Sequence, residues 1–146
     1  MIHFTVPGAP VAWTRSRHNG KQHYNDPKYR AWKNAIAWQA KASMGSRKPL
    51  EGPLSLVVTF HLPIPISWSR RKQSEALDGT IRPDGRPDLD NLAKAVGDGC
   101  NGVVYVDDCQ VVHMVAMKVY SLHPCVSVTI SQVSKPVELA RFREVA

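Results

Sequence analysis

Residues 86–112 read RPDLDNLAKAVGDGCNGVVYVDDCQVV. Leu89, Leu92, Ala93, Val96 and Cys100 recur at the spacing of one helical face, so a helix starting near Asp88 carries an apolar stripe. Asp90, Asn91, Lys94 and Asp98 make its polar face. The apolar run GVVY, the pair Asp107-Asp108 and then CQVV bring the chain back into a strand. A helix with one apolar stripe that returns at once into a strand belongs on a sheet. The same segment holds five aspartates with one lysine in their midst, in a chain whose formal net charge is +7.

Upstream, Ile2, Phe4 and Val6 alternate with His3 and Thr5, a half-buried strand that Pro7, Gly8 and Pro10 end. The polar stretch TRSRHNGKQHYN reads as a loop. Asp26-Pro27 is a helix start, with Asp as N-cap and Pro at the first helical position. The spacing predicts a helix over 27–44 that buries Tyr29, Trp32, Ile36, Ala40 and Ser43 and stops at Gly45. Leu54, Leu56, Val58, Phe60 and Leu62 mark a second strand, broken by Pro63 and Pro65.

SWSRRKQSEALDG has room for a short helix ending at Gly79, inside a loop or flap insert over 67–86. Val111–Tyr120 and Cys125–Ile130 read as a hairpin over SLHP, and 133–146 as a tail with a short helix. The order strand, helix, strand, helix, strand, strand predicts one α+β domain: a small mixed sheet with two main helices on one face. The helical connections suit parallel crossovers, and the last two strands should be antiparallel.

Composition sets the outer bounds. With 146 residues and 43% hydrophobic content, the chain can bury a core as a single domain over 1–146. The start, MIHFTVPGAPVAW, lacks the pattern of a secretory signal, and no run approaches the ~20 apolar residues of a membrane span. Cys100, Cys109 and Cys125 are odd in number without CxxC spacing, which argues against a disulfide framework or zinc site. A reduced, cytoplasmic compartment is expected.

Charge is unevenly spread. Residues 1–48 carry nine Lys or Arg against one acid, whereas 49–108 carry nine acids and six bases. A basic half beside a compact acidic cluster suits a polyanionic partner brought to a metal.

Asp88 and Asp90 are two apart, so on a regular helix they point to nearly opposite sides. They converge only if Asp88 is still extended at the helix start, which Pro87 favours. Asp in the first turn also stabilises a helix N-terminus by ~0.3–1 kcal/mol, so DLD alone reads as a cap as readily as a site. Asp107-Asp108, at a strand start, adds separate carboxylates. Adjacent aspartates are common in turns, yet packed together with Asp88 and Asp90 they would need a cation, and hard oxygen donors suit Mg²⁺. Lys94, four residues after Asp90, reads either as its surface ion-pair partner or as a group that stabilises charge on phosphate.

At these residues the chain resembles the RusA family of Holliday junction resolvases. The resemblance stands on RPDLDNLAK, Asp98 and VDDCQVV, where several fixed spacings agree. A looser match runs through PGAPVAWTRSRHNGKQHY, and together they span about Ile2 to Ser131. The resemblance implies that Asp88, Asp90 and Asp108 are the essential carboxylates, that Lys94 is also required and that Asp107 is a less critical position. It further implies Mg²⁺ with Mn²⁺ able to substitute, a homodimer of small α/β subunits, and branched DNA as partner. The chain departs from the pattern at GDGCNG, where Gly97 and Gly99 each cost a helix ~1 kcal/mol relative to Ala.

For DNA contact the candidates are Arg15, Arg17 and Lys21, in a loop flanked by Trp13 and Tyr24, and the run Arg70, Arg71 and Lys72. Trp13 has the alternative of packing into the core, and Trp32, Trp38 and Met44 read as core or dimer interface. Three functions remain open from the residues: a Mg²⁺-dependent structure-selective endonuclease, a non-catalytic branched-DNA-binding protein, and a small metal phosphohydrolase.

Overall fold

The structure is a computed structural model that describes residues 1–15, 17, 18, 20, 23, 24 and 26–133, with the backbone alone at 17, 18, 23 and 24. In chain order the elements are β1 (Ile2–Pro7), β2 (Arg17–His18), β3 (His23–Tyr24), α1 (Pro27–Met44), β4 (Leu54–Pro63), α2 (Arg70–Leu77), α3 (Leu89–Cys100), β5 (Val111–Ser121) and β6 (Cys125–Gln132). One 3₁₀ turn, Asp108–Gln110, precedes β5. The tail read over 133–146 lies outside the described residues beyond Val133, whose N–H donates to Pro53 O at 2.9 Å.

The main sheet has the order β1-β6-β4-β5. β4 and β5 are parallel across the α3 crossover, and β6 is antiparallel to both β4 and β1. The sheet is therefore mixed, and the expected α+β class holds. The expected hairpin does not: β5 and β6 run in opposite directions but flank β4 and do not pair. His61 of β4 faces Val119 on one side and Cys125 on the other. Leu122–Pro124 thus crosses two strand spacings, about 10 Å, within the reach of three extended residues. The reason is burial. β6 buries Val126, Val128 and Ile130 between two strands, whereas β5 keeps Val112, Met114 and Met117 exposed, as an edge strand can. The polar stretch after Trp13 is also not wholly loop, because Arg17 pairs with Tyr24 and His18 with His23.

α1 and α3 cover one face of the sheet. Asp26 caps α1, its carboxylate accepting from Lys28 N at 2.7 Å, and Gly45 ends it at φ 59. Tyr29, Trp32, Ile36, Ala40 and Met44 are buried, with Ser43 at the margin donating to His3 O. They meet the inward side chains of β1, β4 and β6 and the stripe Leu92, Val96 and Cys100 of α3. Each large apolar side chain buried this way contributes ~1.5–3 kcal/mol. Trp32 and Met44 are core, while Trp38 is 75% exposed on the outer side of α1.

The two glycines do not end α3. A Cβ on Gly99 would sit 2.6 Å from Ile36 Cγ2, so the missing side chain is what lets α1 approach α3. The crossing of the two helices thus overrides local propensity and carries Asp98 on to the polar face.

α2 starts at the cap Ser69 and is followed by Gly79 at φ 85, as the sequence predicts. It is held to the far end of β5, where Trp68 meets Tyr120 edge-on at 5.3 Å. Among the described residues no helix is long and apolar enough to cross a membrane.

Candidate active site

The acidic segment forms one wall of a cavity of about 450 Å³. Asp90, Ala93, Lys94 and Gly97 of α3 line one side, and Val111–Met114 of β5 the other, with Tyr105 and Asp108 completing the wall. α3 leads to β5 through a short return, so residues far apart on the helix and strand face each other across it.

Asp88 is the N-cap of α3, extended at φ −67, ψ 136, and its side chain makes no capping hydrogen bond. The extended backbone is the one the Pro87-Asp88 reading requires, and the carboxylate is not consumed by the helix end. Asp90 sits in the first turn, where Oδ1 accepts from Asn91 N at 2.9 Å. Ahead of Asp88, Lys118 of β5 donates to Gly85 O at 2.7 Å and Pro87 O at 3.0 Å. That clamp ties the start of α3 to the sheet. A lone lysine in the apolar run VVHMVAMKVY was its one sequence signal.

Asp107 caps the 3₁₀ turn, accepting from Cys109 N at 3.1 Å. Gln110 closes a capping box with it, Oε1 accepting from Val106 N at 3.0 Å and Asp107 N at 3.1 Å. Its Nε2 donates to Leu50 O at 2.9 Å and Gly52 O at 3.1 Å. Gln110 therefore bolts the Asp107-Asp108 turn to the chain ahead of β4. Its place in VDDCQVV was legible, but its bracing role was not.

The Asp107 carboxyl beside Asp108 is the main cause that raises it from its ordinary value, followed by burial and by repulsion from Asp107 and Asp98, with Lys94 opposing. Asp107 is lowered, first by the Cys109 N–H and then by Asp108. Negative charge is in excess at this edge of the cavity.

Lys94 does not take Asp90 as its ion-pair partner. Its Nζ lies 3.9 Å from Asp98 Oδ1, one turn further along α3, and 5.2 Å from the centre of the Trp13 ring. Trp13 is half-buried against the core, and its backbone N–H donates to Asn91 O at 2.9 Å. The other oxygen of Asp98 accepts from Tyr29 Oη at 2.5 Å.

The structure thus brings Asp90, Lys94 and Asp108 to one cavity, and does not put Asp88 or Asp107 on its wall. Among the described residues no three His, Cys, Asp or Glu side chains gather closely enough to hold a metal ion between them. The donor set still fits Mg²⁺ in kind, since that ion is commonly held by one or two carboxylates, with water and substrate phosphate completing its shell. Asp90 and Asp108 are the two carboxylates on the cavity wall that would fill that part.

Of the basic candidates, Arg15 is exposed two residues past Trp13. Arg17 lies on β2, and Lys21 lies outside the described residues. Arg71 pairs with Glu75 at 3.3 Å, and Lys72 lies 4.1 Å over the Trp68 ring. From Met114 at the cavity to Tyr120 beside α2 the strand runs roughly 20 Å. The α2 run therefore lies away from the Met114 end of the cavity and toward the start of α3, whose Pro87 O accepts from Lys118, two residues before Tyr120.

An α+β domain with paired acids and a lysine on one cavity has the makings of a phosphodiester-cleaving enzyme. Residues 7–131 match the model of the RusA endodeoxyribonuclease family, and the chain belongs to that family. It is also 40% identical over 142 residues to the uncharacterized protein YqaN of Bacillus subtilis (strain 168), covering 91% of this chain and 97% of that one. Family membership supports a nuclease that acts on DNA.

Proposed function

We propose that the protein is a Mg²⁺-dependent, structure-selective endonuclease that resolves four-way DNA junctions in recombination and repair, with Mn²⁺ able to substitute. The observation that carries this reading is the convergence of Asp90, Lys94 and Asp108 on one cavity in a chain of the RusA family. When bound, the metal supplies Lewis-acid polarisation of the phosphate and activates water. Asp90 and Asp108 would hold it, and Asp88, uncommitted to its helix cap, stands two residues before Asp90 as a third carboxylate. Lys94 places a positive group where charge builds on the phosphoryl oxygens. Arg15 and Arg17 meet backbone phosphates beside the site.

Resolution takes two symmetric nicks, so a homodimer with a two-fold axis suits the substrate. Cys100, Cys109 and Cys125 are all free thiols, in keeping with a cytoplasmic protein.

The test is cleavage of a labelled synthetic four-way junction and of linear duplex of the same sequence, in Mg²⁺, Mn²⁺ or chelator. Paired nicks in the junction alone, lost in chelator, are expected. Equal cutting of linear duplex would remove the structure selectivity. Tight junction binding without cutting in either metal would make the protein a branched-DNA-binding module, and hydrolysis of free nucleotides alone a small phosphohydrolase.

A further inference from the structure

Asp98 lies on the polar face of α3 but not on the cavity wall, and Tyr29 belongs to the core at 2% exposure. Neither touches the place where a phosphate would react. They nevertheless form a continuous line to Lys94, the lysine on the cavity wall. Tyr29 Oη donates to Asp98 Oδ2 at 2.5 Å, Asp98 Oδ1 lies 3.9 Å from Lys94 Nζ, and the Trp13 ring lies 5.2 Å from the same ammonium. The Trp13 backbone is tied to α3, its main-chain N–H donating to Asn91 O at 2.9 Å.

We propose that Tyr29 and Asp98 are positioning residues for Lys94: Tyr29 orients the Asp98 carboxylate, and Asp98 with the Trp13 ring holds the ammonium at the cavity. A lysine has a flexible four-carbon stem and a strongly hydrated head. The Lys94 side chain is 48% exposed, so without a partner it would sample many rotamers. The tyrosine–carboxylate contact has the length of a charge-assisted O–H···O⁻ bond, stronger and more directional than a neutral one. Burial and the neighbouring carboxylate both keep the phenol protonated, so it remains a donor. One Asp98 oxygen is thereby committed to α1, and the other is left toward Lys94. α1, which contributes nothing to the cavity wall, acquires a part in setting its charge.

The catalytic consequence rests on the nuclease reading above, so the test has two arms. The first is single-turnover cleavage of a labelled junction at saturating Mg²⁺. Tyr29→Phe and Asp98→Asn should each cut on the order of 10- to 10²-fold more slowly, as misplacement of a reacting group by an ångström does, with junction affinity unchanged. Added to Lys94→Ala, either change should slow cleavage no further, because residues that act through one group are not additive. Cleavage within two-fold of wild type, or an equal further loss on top of Lys94→Ala, overturns the proposal.

The second arm needs no activity. In the full-length protein without DNA, the Lys94 ε-methylene proton resonance, assigned by its loss in Lys94→Ala, should be shifted by the Trp13 ring current. It should move toward the exposed-lysine position in Asp98→Asn and, less far, in Tyr29→Phe. A resonance that does not move in either variant overturns the positioning. A wild-type protein that cuts no junction overturns the nuclease reading and the catalytic consequence with it, while this arm still decides whether Asp98 and Tyr29 hold Lys94.

Discussion

At the scale of single residues, Asp90 and Lys94 separate chemistry from folding. Asp90→Asn keeps the size of the side chain, removes the carboxylate charge proposed to hold the metal and lessens repulsion toward DNA phosphates. Cleavage should be abolished and junction binding retained, as a nuclease assay beside a gel-shift titration would record; cutting at the wild-type rate would remove Asp90 from the site. Lys94 is half-exposed, and its ion pair with Asp98 at 3.9 Å is worth well under ~1 kcal/mol to stability. Lys94→Ala should keep its Tm yet lose on the order of 10²–10³-fold in single-turnover rate, and Lys94→Arg should recover only part of it, since a planar guanidinium is not an ammonium. An early melt would make the lysine structural. Among the thiols, burial pushes Cys100 up to about 12, so it stays neutral across the working pH range. Iodoacetamide at pH 8 should label exposed Cys109 in the native protein and reach Cys100 only after denaturation, as peptide mass mapping would read.

At the scale of elements, the contact between α1 and α3 decides where the polar face of α3 points. Gly99→Ala gains ~1 kcal/mol of helix propensity but puts a Cβ 2.6 Å from Ile36 Cγ2 and 3.2 Å from Lys33 O. Overpacking of that kind costs ~1–3 kcal/mol, so net destabilisation is expected. Gly97→Ala meets nothing nearer than Tyr105 Oη at 3.9 Å and should stabilise by ~0.4–1 kcal/mol. Urea melts of the two variants should move in opposite directions. Equal shifts would mean that the helices do not meet as closely as Gly99 requires. The Asp107-Asp108 turn has a different support: Gln110 carries it, satisfying backbone groups on both the turn and residues 50–52.

Across the whole molecule, the basic first third and the acidic cavity meet at Trp13, which packs on the core and is tied to α3 before the chain runs on to Arg15 and β2. Binding of junction DNA should weaken steeply with salt as lysines and arginines displace counterions. Arg15→Ala with Arg17→Ala should lower the slope of log affinity against log salt by roughly 2, about one for each phosphate that is no longer neutralised. An unchanged slope would take the amino-terminal segment out of the interface. The α2 basic run, held to β5 beside Tyr120, should affect binding more than cleavage rate.

Local pattern was enough for much of this protein. The alternation of Leu54–Leu62, the Asp26-Pro27 start of α1 and the stripe of α3 are all one-element properties, set by strand and helix period and by capping chemistry. The acids and Lys94 were legible for the same reason, because their spacing along one segment is a sequence fact. What the chain could not reveal were pairings between segments. A short polar turn such as SLHP serves a hairpin or a split pair equally, and only burial of β6 on both sides places β4 between β5 and β6. Lys94 had carboxylates within one helical turn on either side, and the Tyr29 hydroxyl, 69 residues before Asp98, together with Trp13, selects Asp98 over Asp90. Gly97 and Gly99 looked like a weakened helix end until α1 was set against them. Local order follows from local periodicity, but which of several equivalent partners a side chain takes is settled by which segment is packed beside it.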